Sequence, residues 1–317
     1  MKACIDIGGT KIAVCLSPSE ADAAAAGGLP PLLHRQTAPT PRTGAPDALA
    51  KQAIALVDVA CAQAGIARAD LQAVGVSSCG PFVMVDGQIE LAAPNICGGL
   101  AGPSRGLPNH WRSVPLQAPL VSAFAWVRVE NDGVAALEAE RRWGALQGLS
   151  HCAYVTWSTG VGVGLCVDGH ALHGKHGNAG HAGHMFVSDD ASGAPCGCGN
   201  VGDVEALVAG SAMPGRFGMD APALLQAAEA GDAAARATVD ELCRTLGRML
   251  YNLTVTLDLE RISIGGGVFW HHREFLLPRL QAQIDGRFPA LTAGVQVVPA
   301  SLGGQVGDYA ALALVSD

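Results

Sequence analysis

One device, met twice, constrains the fold of this 317-residue chain more than any other feature. Residues 2–7 and 12–16 are apolar runs on either side of Gly8-Gly9-Thr10-Lys11, and residues 152–156 and 161–167 flank Ser158-Thr159-Gly160 in the same way. Short apolar runs around a Gly-containing turn predict a strand, a tight turn and a second strand. Helical spacing follows in each half. Ala53, Leu56, Val57, Ala60 and Ala64 mark a helix over 48–67, and Val239, Leu242, Leu246, Leu250 and Leu253 share one stripe of a long helix over 233–257. A strand pair that opens each half, with helices after it, predicts a duplicated α/β unit. At roughly 150 residues per domain the length also suggests about two domains.

Other elements are simpler. Residues 71–78 are β-rich, 126–130 form a short strand leading at once into a helix over 133–147, and 261–264 form a strand before Gly265-Gly266-Gly267. Residues 307–314 are apolar and helix-like. Residues 17–46 read as a loop with an edge strand, and 92–120, with Gly and Pro at many positions, read as irregular.

Charge and composition remove several classes. Lys+Arg 20 against Asp+Glu 28 gives a formal charge of −8 without a basic cluster, so no nucleic-acid partner is expected. Hydrophobic residues reach 49%, but the excess is Ala and Gly, and no run of about 18 uncharged apolar residues exists to cross a membrane. Asp6 and Lys11 come too early for the apolar region of a signal peptide. The ten cysteines are scattered, several inside apolar runs, which suits a reducing, cytoplasmic setting. Only Cys196 and Cys198 form a close pair.

The turns carry chemistry as well as topology. Gly8 and Gly9 let the backbone approach a ligand, with N–H groups able to face an anion. Thr10 adds a hydroxyl, Lys11 a positive charge, and Asp6 an oxygen that can hold a divalent cation through water. Alone, this turn reads first as a plain hairpin. Ser158-Thr159-Gly160-Val161-Gly162-Val163-Gly164 repeats it, and two phosphate-type turns opening two halves predict a bound nucleotide. Gly265-Gly266-Gly267 is a third place where backbone comes close to something. No Walker pattern is present, since Gly174-Lys175 is followed by His176, and no GxGxxG opens a helix. Asp132, in Glu130-Asn131-Asp132 between a strand and a helix, reads either as a helix cap or as the acceptor of a proton from an attacking hydroxyl.

Asp6–Lys11, Glu130–Asp132, Ser158–Gly164, Ala179-Gly-His-Ala-Gly-His184 and Cys196-Gly-Cys-Gly-Asn-Val-Gly-Asp-Val-Glu205 occur in the order found in the ROK family of bacterial sugar kinases and sugar-responsive repressors. The chain resembles that family over almost its whole length. The resemblance implies the actin-like ATPase (ribonuclease H-like) fold, α/β in class. It has two α/β domains, with ATP and a sugar in an interdomain cleft. The expected domains are 1–130 and 131–304, with a helix over about 305–317 packing back on the first. Gly8, Gly9, Thr10 and Lys11, with Asp6, match the first phosphate turn. Ser158, Thr159 and Gly160 match the second, and Gly265, Gly266 and Gly267 match the glycines near the adenosine. Asp132 matches the catalytic base and Asn131 its sugar-binding neighbour. Asn95, Gly80, His184 and Glu205 match positions around the sugar.

Two departures from the family pattern bear on function. The family's zinc motif ends in a cysteine where this chain has Asp203. The implied ligand set is therefore His184, Cys196, Cys198 and Asp203, chemically allowed because a carboxylate can ligate zinc. Many family members carry Glu where this chain has His181. An imidazole there, with Asn95-Ile96-Cys97-Gly98-Gly99, tilts the expectation toward a 2-acetamido sugar, N-acetylmannosamine first, with glucose and N-acetylglucosamine as alternatives. The resemblance thus implies an ATP- and Mg²⁺-dependent phosphotransfer to the sugar 6-hydroxyl, a structural Zn²⁺, and a homodimer. A regulatory member would carry a helix-turn-helix segment before the first turn, which here begins by residue 6. A non-catalytic scaffold would lack Asp132 or a turn. Polyphosphate as donor is disfavoured by the missing basic stripe. Of the remaining histidines, His34, His110, His170, His173, His176, His271 and His272 are expected in solvated positions. Trp111 reads as either a ligand-covering or a packing residue.

Overall fold

The computed structural model describes residues 1–18, 28–100, 106–189 and 193–316; parts of the 17–46 and 92–120 segments and the last residue of 305–317 lie outside them. The chain divides into two compact units. The first comprises Met1–Ala139, His173–Ala179 and Gln305–Asp317, and the second Glu140–Leu172 and Gly180–Gly304. The division falls further along the chain than the 130/131 expected from sequence, and a short piece of the second half belongs to the first unit.

The first unit is built on five strands, β1 (Lys2–Ile7), β2 (Lys11–Ser17), β3 (Leu33–Pro39), β4 (Ala73–Ser78) and, after a small three-stranded antiparallel sheet of β5 (Phe82–Val85), β6 (Gln88–Leu91) and β7 (Val114–Pro115), β8 (Val127–Asn131). Their order is β3-β2-β1-β4-β8, with the first three antiparallel and β1, β4 and β8 parallel. Ala3, Ile5 and Ile7 of β1 and Ile12, Val14 and Leu16 of β2 share a core with Leu49, Ala53, Val57 and Ala60 of helix Ala48–Ala64. On the opposite face lies helix Val306–Ala313, which packs on β1, β2 and β4. Cover on both faces is why these strands read as continuous apolar runs rather than alternating ones. The first helix stops at Ala64 instead of 67 because Gly65 takes the left-handed conformation (φ 70°) and returns its N–H to the Ala62 carbonyl.

The second unit repeats the plan. Strands β9 (Cys152–Trp157), β10 (Val161–Val167), β11 (His170–Ala171), β12 (Arg261–Gly265) and β13 (Gln296–Pro299) lie in the order β11-β10-β9-β12-β13, again with three antiparallel and the rest parallel. Helix Ala233–Leu257 buries Val239, Leu242, Leu246, Leu250 and Leu253 against Val155, Trp157, Val163, Ile262 and Ile264. Its start is capped by Asp232, whose carboxylate accepts the Ala235 N–H at 2.7 Å. The helix expected over 133–147 spans Asp132–Trp143. It ends early because the buried Glu140 carboxylate takes the N–H of Ala145 at 2.8 Å, along with those of Ser301 and Leu302. Within 92–120, β7 and the start of helix Gln117–Ala123 are regular where irregular chain was expected; that helix buries only Leu120, too little to leave a stripe in the sequence. Among the described residues, no helix is long and apolar enough to cross a membrane. The architecture is α/β, the actin-like ATPase fold.

A Cβ added to Gly75 in β4 would fall on the carbonyl of Ala311 in the covering helix. Backbone cannot yield there as a flexible side chain would. Gly75→Ala is therefore expected to destabilise the protein by about 1–3 kcal/mol. The readout is a lower urea midpoint with unchanged slope; an unmoved midpoint would show that the helix shifts freely.

Candidate active site

The parallel strands of the first unit end level with one another. Ile7 is paired with Ser78 and Ser78 with Asn131. The residues that follow, Gly8, Cys79-Gly80 and Asp132, therefore line one edge of the sheet. In open α/β sheets ligands bind outside the carboxyl ends of the strands, where loops diverge. Burial raises the carboxyl of Asp6, and Lys11 and Arg35 oppose it. The Cys79 thiol is pushed well up by burial and by the charges of Asp132 and Asp6, which brings both carboxylates to its neighbourhood. Asn131 is buried. Its Oδ1 and the Oδ1 of Asp132 both accept the Gly133 N–H, at 3.0 and 2.8 Å. The cap expected of Asp132 is shared with Asn131, the residue before the helix, and Asp132 itself is the first helical residue and half-buried.

In the first turn, Gly8 donates its N–H to the Lys11 carbonyl at 2.9 Å, while Thr10 and Lys11 are exposed. Three further contacts hold it from the end of β3. The Thr40 hydroxyl donates to the Gly8 carbonyl at 2.7 Å, Arg42 Nη2 donates to the Gly9 carbonyl at 2.9 Å, and the Thr40 N–H donates to the Thr10 carbonyl at 3.0 Å. Asn95 is exposed, and a side chain on Gly9 would land on its amide. The loop bearing Asn95 is fixed by buried Asn109. Its Oδ1 accepts the N–H groups of Gly98 and Trp111 at 2.8 and 3.1 Å, and its Nδ2 donates to the carbonyls of Ile96 and Arg42 at 2.9 and 3.0 Å. Trp111 packs in this core. Thr40, Arg42 and Asn109 escape a sequence reading because nothing in a Pro-rich stretch signals which carbonyl a side chain will meet.

The second unit presents its turn at the equivalent edge. Thr156 pairs with Gly265 across the parallel strands β9 and β12, so Trp157 and Gly266 follow side by side and Ser158 comes directly after them. Ser158 donates its N–H to the Gly160 carbonyl at 3.0 Å. Gly266 has φ 91°, and a Cβ there would strike the Trp157 carbonyl, so both conformation and space require glycine. A cavity of about 800 Å³ opens at this edge, lined among others by Ser158, Thr159, Leu225, Gln226, Val268 and His272. Apolar walls with a few polar groups beside a Gly turn suit a flat heterocycle with a phosphate tail. His272 is not the exposed residue expected: the short helix Gly267–Trp270 turns it inward, and its Nδ1 lies 3.0 Å from Glu229, with the side chain 10% exposed. His34 is half-buried, whereas His110, His170, His176 and His271 are exposed.

The motif histidines and cysteines also gather in the second unit. His184, Cys196, Cys198 and Asp203 offer ligand atoms that all lie within 4.8 Å of one another. His184 Nδ1 is 3.0 Å from Asp203 Oδ2 and 3.6 Å from Cys196 Sγ, and Cys198 Sγ is 3.5 Å from the same Asp203 oxygen. Tetrahedral zinc with bonds of 2.0–2.3 Å separates its ligands by about 3.3–3.8 Å, so this donor set fits the ion. Asp203 Oδ1 meanwhile caps helix Val204–Val208 by accepting the Ala206 N–H at 2.8 Å. Two residues on, Glu205 accepts the Val161 N–H at 2.9 Å, immediately after the Ser158–Gly160 turn. His181 stands beside this cluster, its ring centroid 6.2 Å from that of His184.

The sequence-predicted residues thus form two groups. Asp6, Gly8–Lys11, Gly80, Asn95, Asn131 and Asp132 belong to the first unit. Ser158–Gly160, Gly265–Gly267, His181, His184, Cys196, Cys198, Asp203 and Glu205 belong to the second.

The ROK family pattern matches residues 2–317. An N-acetylmannosamine kinase from Salmonella agona is 33% identical over 275 residues, covering 83% of this chain and 82% of that protein. A glucokinase from Aeropyrum pernix is 29% identical over 274 residues, covering 78% and 81%. The solved structure of a ROK family glucokinase from Streptomyces griseus in complex with glucose and AMPPNP is similar with a TM-score of 0.69 at 27% identity, covering 98% of this chain and 97% of that one.

One ion pair at the sheet edge carries a pH signature. His173 Nδ1 lies 3.1 Å from the carboxylate of Glu130, just before Asn131. The hydrogen bond to Glu130 raises the imidazole above its ordinary 6.5, outweighing burial and Arg128, which lower it. A raised histidine adds stability that is fully present below its unfolded value and is lost as pH climbs through its folded value. Urea midpoints are expected to fall as pH rises from about 6.5, and His173→Gln to flatten that limb. An unchanged slope in the variant would remove the pair as its cause.

Proposed function

This chain belongs to the ROK family, and from that premise we propose that it is a sugar kinase transferring the γ-phosphoryl group of ATP to the 6-hydroxyl of a hexosamine, N-acetylmannosamine first. The carrying observation is Asp132, a half-buried carboxylate at the carboxyl edge of a sheet in which β1, two strands away and ending level, runs into a Gly-Gly-Thr turn. Asp132 accepts the proton of the sugar hydroxyl as that oxygen forms a bond to the γ-phosphorus. The bond from phosphorus to the bridging oxygen breaks, and ADP leaves with the electron pair. Gly9 and Thr10 in the first turn and Thr159 and Gly160 in the second donate backbone N–H groups to the phosphates, and Lys11 adds a positive charge. The cavity beside Ser158 and Gly266 takes the adenosine. Asp6 is assigned to Mg²⁺, held through water, and that ion, when bound, would neutralise charge developing on the transferred group.

Asn95, Asn131, Gly80, His181, His184 and Glu205 are assigned to the sugar. An imidazole at 181 makes a single hydrogen bond and leaves room for an acetamido group, where a carboxylate would bind two hydroxyls. Relatives named for N-acetylmannosamine and for glucose stand at similar identity, so glucokinase activity is the second reading. The His184, Cys196, Cys198 and Asp203 set is assigned to Zn²⁺, which when bound fixes the His184 ring and hence the loop it sits on. A cytoplasmic homodimer completes the proposal.

A coupled assay of ADP release over N-acetylmannosamine, N-acetylglucosamine, glucose, mannose and fructose tests the substrate, with N-acetylmannosamine expected to give the highest kcat/KM. Asp132→Asn is expected to lower kcat by roughly 10²–10⁴-fold while calorimetric sugar affinity stays within a few-fold; full turnover in that variant would remove Asp132 as the base. Elemental analysis is expected to find about one zinc per chain. Asp203→Asn keeps a capping acceptor, so zinc lost from that variant with the fold intact identifies the carboxylate as a ligand, whereas zinc-free wild-type protein with the same fold would end the metal assignment.

A further inference from the structure

Both Gly turns are held from behind by donors aimed at their carbonyls. In the first unit the carbonyls of Gly8, Gly9 and Thr10 accept, respectively, the Thr40 hydroxyl at 2.7 Å, Arg42 Nη2 at 2.9 Å and the Thr40 N–H at 3.0 Å. In the second unit the Ser158 carbonyl accepts the Gly210 N–H at 2.8 Å. The Thr159 carbonyl accepts the Ser211 N–H at 3.2 Å and the Ser211 hydroxyl at 2.6 Å. The two units use different chemistry, largely side chains in one and largely main chain in the other, on the carbonyls of their respective turns.

The consequence follows from peptide geometry. In a planar trans peptide the C=O of one residue and the N–H of the next point in opposite directions. Fixing the carbonyls of Gly8 and Gly9 therefore fixes the N–H groups of Gly9 and Thr10 to face away from the Thr40–Arg42 segment. Fixing those of Ser158 and Thr159 does the same for Thr159 and Gly160. Consecutive N–H groups pointing one way make an anion-binding concavity. Glycine makes such a turn possible, but it also lets the peptide plane rotate, since nothing at Cβ resists. A rotated plane would present a carbonyl oxygen to phosphate instead of a donor. Gly8-Gly9, the more permissive turn, is the one held by a guanidinium. Arg42 is in turn anchored, because its own carbonyl accepts from Asn109 Nδ2 at 3.0 Å.

We propose that Thr40 and Arg42 in the first unit, and Ser211 in the second, are positioning residues for nucleotide phosphates: they lock the turn peptides so that the opposite N–H groups face the phosphoryl oxygens. This rests on the kinase reading above, and adds to it residues that never touch the nucleotide yet set its affinity. The locked turns discriminate phosphate from nucleoside, because only the phosphates meet the N–H groups.

Calorimetry with ATP and with adenosine separates these contributions. Arg42→Met and Thr40→Val are each expected to weaken ATP binding about tenfold, the scale of one lost charged or buried hydrogen bond. Ser211→Ala, which keeps the main-chain donor, should weaken it roughly threefold. Adenosine affinity should stay within about twofold in all three. Arg42→Lys, which restores a cationic donor, should recover most of the loss, whereas a side chain needed only for packing would not distinguish Lys from Met in this way. Unchanged ATP affinity in Arg42→Met overturns the proposal, as does equal weakening of ATP and adenosine. Wild-type protein that binds neither ATP nor adenosine overturns the kinase reading itself; binding by the wild type that the variants leave unaltered overturns only the role of these three residues.

Discussion

Parallel pairing with level ends is the constraint on which the rest of this structure depends. Once Ile7, Ser78 and Asn131 lie in one register, the residues that follow them are neighbours however far apart they stand in the chain. That single fact turns a hairpin turn, a Cys-Gly pair and an Asn-Asp pair into one edge. The register holds because both faces of the sheet are covered, by helix Ala48–Ala64 on one side and the returning C-terminal helix on the other. Slipping a strand by one residue would exchange the two faces, and each is packed against a different helix. The second unit obeys the same rule, with Thr156 and Gly265 level where the first has Ile7 and Ser78.

How much was legible in the sequence follows from how local each signal is. The two hairpins and helix Ala233–Leu257 could be read directly, since apolar runs and a five-residue stripe are decided by near neighbours. The motif residues were legible by resemblance, and the His184, Cys196, Cys198 and Asp203 set does converge. The β5-β6-β7 sheet was not read, because four-residue strands with mixed burial carry little pattern. Helix ends were displaced where a nearby group closed the last turn, as the Glu140 carboxylate does at Ala145 and as the left-handed Gly65 does after Ala64. His272 was misplaced because a one-turn helix after the glycines changes its direction. Thr40, Arg42 and Ser211 were invisible for a different reason: each acts on a carbonyl many residues away, and a carbonyl has no letter in the sequence.

Asp203 shows how a departure from a family pattern is absorbed locally. A thiolate at that position could ligate a metal but would cap a helix poorly. The carboxylate divides its two oxygens between the tasks, Oδ1 toward Ala206 and Oδ2 toward His184, Cys198 and Asn200. The helix so started carries Glu205 to the Val161 N–H, so the His184, Cys196, Cys198 and Asp203 cluster and the Ser158–Gly160 turn are joined through one capped helix of five residues.

Asn109 has a consequence of its own. Its amide is saturated, with two acceptances at the oxygen and two donations from the nitrogen, all to main-chain atoms in a buried setting. Aspartate in its place would have no hydrogens for the carbonyls of Ile96 and Arg42, leucine of similar size would orphan all four groups, and glutamine would overshoot by a methylene. Of the twenty standard side chains only one answers every demand of this niche. Divergence in the loops on either side is therefore free to proceed only so long as this one letter stays fixed.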